Sequence, residues 1–148
     1  MAIAKTDVGV TLPFIVRLAT GYQDRDQYKI FTLFDLSKDW KPWAAQPQWN
    51  HKLLITHGGN CGASYKTGSA PTDDYSGTIP SNPVFEQSYI TALGRGLMVM
   101  STALDNTGHN CDVALGADLQ MMGKALLGEQ YGAVRYTSAT RCLGHFTE

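Results

Sequence analysis

The tightest constraint on the fold is an alternation of strand-length apolar runs with helical stretches. His51 to Thr56 (HKLLIT) and Leu97 to Ser101 (LMVMS) are short, nearly continuous apolar runs, the pattern of strands covered on both faces. Between them, Asn82 followed by Pro83 reads as an N-cap with proline at the first helical position. Phe85, Tyr89 and Ala92 then mark one helical face, and Gly94 and Gly96 stop it. Leu115, Leu119, Met122 and Leu126 predict a second amphipathic helix ending near Gly132, and Val134 to Thr137 is a further strand. Strands separated by helices imply a parallel sheet with right-handed crossovers. Ahead of it, Phe14 to Leu18 and Tyr28 to Phe34 form an antiparallel pair joined by polar Thr20 to Gln27, with Asp24 to Asp26 as a solvated turn. The fold class is α/β: a hairpin, then mostly parallel strands with two crossover helices.

The 148 residues suit a single domain, 1–148. Twelve basic against thirteen acidic side chains leave a net charge of -1 with no basic block, which argues against nucleic acid or an anionic membrane as partner. No stretch approaches the roughly 20 apolar residues of a membrane span. The opening MAIAKTDVGV lacks the apolar core of a signal peptide, so a soluble, cytoplasmic chain is expected. The segment around Trp40, Trp43 and Trp49 is too rich in proline for a regular element and too aromatic for disorder, and reads as a packed loop covering a sheet edge. Met98, Met100, Met121 and Met122 read as packing on a buried strand and a helix face.

Ligands of such sheets bind beyond the carboxyl ends of the strands, where HGGNCG (His57 to Gly62), the DNTGHNCD loop and the tail after Tyr136 gather. HGGNCG is the most specific of these. Its glycines let backbone N–H groups face a developing negative charge, as in an oxyanion loop, although a plain tight turn leaves a strand in the same way. His57, Cys61, His109 and Cys111 converge on this edge, but their spacings are not those of usual zinc sites; no metal and no cofactor is expected.

Four stretches, PFIVRLATGYQDRDQYKIFTLFD, WKPWAAQPQWNHKLLITHGGNCGASY, YITALGRGLMVMSTALDNTGHNC and MMGKALLGEQYGAVRYT, together resemble the α/β-hydrolase superfamily, specifically the secreted bacterial esterases related to tannases and feruloyl esterases. The resemblance implies the amino-terminal portion of a hydrolase sheet, a small-molecule carboxylic ester as substrate, a backbone oxyanion donor at Gly59 or Asn60, and secretion. It also implies that the strand at Val134 to Thr137 runs into a nucleophile elbow. With Cys142 aligned to the family cysteine, Leu143 occupies the serine slot and has no nucleophilic atom. Agreement with the family is expected to fade after Thr137, as a frameshift or a truncated domain would produce. Since the family partner of Cys142 comes later, Cys142 is expected to be unpaired and Cys61 to pair with Cys111. A substitute triad of Ser101, His109 and Asp105 or Asp112 is the set that could restore chemistry. The alternatives are a non-catalytic pseudo-hydrolase that self-associates through its exposed sheet edge, and a metal-dependent hydrolase built on the His and Cys cluster.

Overall fold

The computed structural model describes residues 2–59, 62–70, 88–104 and 109–142. The elements are β1 (Ile3–Lys5), β2 (Thr11–Pro13), β3 (Val16–Gln23), β4 (Asp26–Leu33), β5 (Lys52–Gly59), α1 (Ser88–Gly94), β6 (Met98–Thr102), α2 (Val113–Tyr131) and β7 (Tyr136–Cys142). Strands β1 and β2 form a small separate ribbon, which sequence reading did not anticipate. The other five make one sheet in the order β3-β4-β6-β5-β7. Strand β4 runs antiparallel to both of its neighbours, whereas β6, β5 and β7 are mutually parallel. The expected α/β class therefore holds: a hairpin, parallel strands and two helices.

Strand β6 is buried along its whole length, as its unbroken apolar run requires. Alternation sends Met98 and Met100 to one face, with Ile30, Leu53 and Ile55 from neighbouring strands and Leu127 and Tyr131 from α2. Val99 goes to the other face, with Leu54 and with Ala92 and Leu93 of α1. The two helices thus cover opposite faces. The N-terminal cap expected at Asn82 and Pro83, with Phe85, lies outside the described residues.

Three boundaries differ from expectation. The hairpin connection is only Asp24 and Arg25, not Thr20 to Gln27, and Asp24 takes a φ of 55° to close it. Polar residues in β3 reflect a half-solvated edge strand, not a loop. Strand β5 continues through His57 to Gly59, past the expected stop at Thr56, because β7 continues beside it as far as the Gly59–Cys142 pair. Strand β7 itself starts two residues later than expected and runs on to Cys142, so Ser138 to Cys142 is strand and not a turn.

The apolar stripe of α2 was also misplaced. The buried residues are Gly116, Leu119, Gly123, Leu127 and Tyr131, whereas Met121 and Met122 are 63% and 45% exposed. Those two methionines are not core. The cause is close approach: a Cβ on Gly123 would stand 2.6 Å from Met100 Cε, so the missing side chain lets the helix settle on β6. A pattern built from large apolar residues alone points to the neighbouring stripe.

The Trp segment is an irregular packed loop, as expected. Trp40 Nε1 donates to Tyr131 O at 2.9 Å, its ring meets Tyr131 edge-on at 5.4 Å, and Trp49 is buried beside it. Trp43 is 83% exposed and takes no part. Buried Gln46 holds the loop by donating to Asp35 O and Lys38 O while accepting from Asp35 N–H. Burial pushes the Tyr131 phenol above its ordinary range.

The rotated stripe is checked by chemical denaturation. Leu127→Ala is expected to cost about 2–5 kcal/mol by opening a core cavity, whereas Met122→Ala should change stability by no more than about 0.5 kcal/mol.

Candidate functional site

The carboxyl ends of β5, β6 and β7 share one edge of the sheet with the start of β4, because β4 runs the opposite way. Two chain segments meet there. Ala63 bridges Asn110, and Ser64 N–H donates to His109 O at 2.9 Å. Gln27 N–H donates to Gly68 O, and Ala103 N–H donates to Gln27 O, tying both segments to β4. Asn110 Nδ2 donates to Leu104 O at 2.9 Å, and Lys29 Nζ donates to Ala70 O at 2.7 Å.

At the centre is Asp26, 1% exposed. Its burial departs from the solvated turn expected at Asp24 to Asp26. Its Oδ1 accepts Gly68 N–H at 2.6 Å, and its Oδ2 lies 2.9 Å from His109 Nε2. Arg25 Nε approaches the same Oδ2 to 3.7 Å, donates through Nη2 to Ser64 O at 2.8 Å, and sits over the Tyr65 ring. Which atom of this contact carries the hydrogen is set by the tautomer of His109. Gly68 makes the approach possible: a Cβ there would fall 2.8 Å from His109 Nε2 and 2.8 Å from Ala103 Cβ.

The other candidates are distributed as follows. Ser101 is 1% exposed and in register with Lys29 and Thr56, on the face of Val99 and Leu54 that α1 covers. Asp26 follows the alternation of Tyr28 and Ile30 onto the opposite face. Asp112 caps α2, its Oδ1 accepting Ala114 N–H and Leu115 N–H, which commits that carboxylate to the helix terminus. His57 is buried in β5, and both it and Ser101 hold partners. Gly59 ends β5, paired with Cys142. Asn60, Cys61, Asp105 and Leu143 lie outside the described residues. Among the described residues, no group of three potential ligands is placed to hold a metal ion.

Residues 1–145 match the model of a tannase-like family of unknown function (DUF6351). The chain belongs to this tannase-like family. The match extends past Thr137 and Cys142 to residue 145. Neither a curated protein nor a solved structure matched the chain. Among the described residues, no helix is long and apolar enough to cross a membrane.

Sequence reading chose His109 but missed its carboxylate. The signal was faint: Asp26 stands beside Arg25 in a polar hairpin, where an acidic residue is normally solvated. Gly68→Ala is expected to force the His109 ring away from Asp26, lowering stability by about 1–3 kcal/mol and moving the His109 imidazole resonances in an NMR spectrum.

Proposed function

We propose that this member of the tannase-like family is a carboxylic-ester hydrolase of the α/β-hydrolase type, with His109 as its general base. The observation that carries the reading is the imidazole held by a buried carboxylate at the carboxyl edge of the parallel strands, where such sheets bind ligands. His109 takes a proton from the attacking O–H group, and the oxygen adds to the ester carbonyl. In this reading a backbone N–H group of the oxyanion loop, at Gly59 or Asn60, receives the resulting oxyanion. The C–O bond to the alcohol then breaks, and the imidazolium returns the proton to the leaving oxygen.

Leu143 supplies no nucleophile, so either Ser101, with Asp105 as in the substitute triad, or a water takes that part. The burial of Ser101 and its place on the face opposite Asp26 favour water. Hydrolysis of a p-nitrophenyl ester is expected to fall by roughly 10²–10⁴-fold in His109→Ala, while Ser101→Ala keeps most of the rate. An unchanged rate in His109→Ala would sink the reading; loss in Ser101→Ala, together with loss of a p-nitrophenol burst, would move the attack to Ser101.

Two further parts of the reading rest on local geometry. The antiparallel contact of Ala63 with Asn110 draws the chain just after Cys61 toward the residue before Cys111, which supports pairing of these two cysteines in an oxidising, extracellular setting. Tyr136 to Ala139 are exposed on both faces of β7, at the end of the strand order, although parallel strands are normally covered on both sides. This edge favours self-association with a second copy. Sedimentation velocity is expected to show a mass that rises with concentration; a monomer at every concentration would remove this part of the reading.

A further inference from the structure

We infer that Asp26 is the positioning residue of the site: it fixes His109 in the tautomer that carries hydrogen on Nε2, so that Nδ1 is the atom that accepts the proton. The inference deepens the ester-hydrolase reading and rests on it for the reaction, but the tautomer can be observed without any substrate.

Asp26 Oδ1 is occupied by Gly68 N–H, and a backbone amide can only donate. Oδ2 faces His109 Nε2 at 2.9 Å, and an ionised carboxylate has no hydrogen to give. The Arg25 guanidinium lies 3.7 Å from Oδ2 as a further donor group on the same side. The hydrogen in the pair therefore belongs to Nε2, and neutral His109 is left with its basic lone pair on Nδ1. The orientation of the ring is set as well, by Asp26 on one side and by Gly68, where no side chain intrudes. His109 is not held by its own segment alone, since its main-chain oxygen accepts Ser64 N–H. The main chain and the ring are thus anchored separately, which is what a base that must meet a bound ester at one angle requires.

Asp26→Asn tests the assignment with almost no change of shape. Gly68 N–H still needs an acceptor, so the amide oxygen stays at the Oδ1 position and the NH₂ group turns to His109 Nε2. That donor obliges Nε2 to accept, and the hydrogen moves to Nδ1, where it blocks the base. In ¹⁵N-labelled protein, long-range ¹H–¹⁵N correlation is expected to show the Nε2–H tautomer for His109 in the wild type and the Nδ1–H tautomer in Asp26→Asn. The p-nitrophenyl ester rate of the variant should fall by roughly 10²–10⁴-fold. A wild-type protein with hydrogen on Nδ1 overturns the inference whether or not the variant folds. So does an Asp26→Asn protein whose tautomer is unchanged. If the wild type shows Nε2–H and the variant Nδ1–H while neither hydrolyses the ester, the positioning role stands and the ester-hydrolase reading fails.

Discussion

A carboxylate taken out of water must be surrounded by donors, and around Asp26 this demand organises the whole carboxyl edge of the sheet. At 1% exposure its charge would be strongly unfavourable if unpaired. The donors come from three stretches far apart in sequence: the hairpin turn through Arg25, residues 62–70 through Gly68, and the segment after β6 through His109. Satisfying one side chain therefore docks two irregular segments on β4. The backbone bonds of Gln27 with Gly68 and Ala103 then extend the docking along the strand. Without the carboxylate, these segments would keep their ladder-like bonds but lose the side chain that joins Gly68 to the His109 ring.

On the α2 side of the sheet, packing is governed by small residues. Gly123 gives its place to the end of Met100, so α2 lies closer to β6 than any larger residue would permit. This lowers the far end of the helix onto the Trp segment, where Tyr131 meets Trp40 edge-on and receives its indole N–H. The irregular loop between β4 and β5 is thereby part of the core. Its polar interior is met by Gln46 and Gln48, both buried, the latter donating to Leu33 O at 3.1 Å.

Much of this architecture is legible in the sequence, because strands covered on both faces leave unbroken apolar runs. HKLLIT and LMVMS correspond to β5 and β6, and the order of strands and helices follows from them. What escapes such reading has a common cause. The stripe of α2 was misplaced because a glycine can be the most buried position of a helix while contributing no hydrophobicity. The extent of β3 was underestimated because an edge strand wears polar residues. Asp26 reads as solvated because its hydrogen-bond partners, Gly68 and His109, are brought in only by tertiary folding. His109 is legible as a histidine in a loop; its contact with Asp26 is not.

The same alternation that builds the core separates Ser101 from the carboxylate that holds His109. Ser101 shares register with Thr56 and Lys29 on the α1 face, while Asp26 continues the Tyr28 and Ile30 series on the α2 face. Moving Ser101 to the other face would require a register slip of one residue in β6, which would also exchange Met98 and Met100 with Val99 across the sheet. The core forbids that. Under the proposed reading, Ser101 is therefore held away from the carboxylate that positions His109, which favours water over Ser101 as the nucleophile.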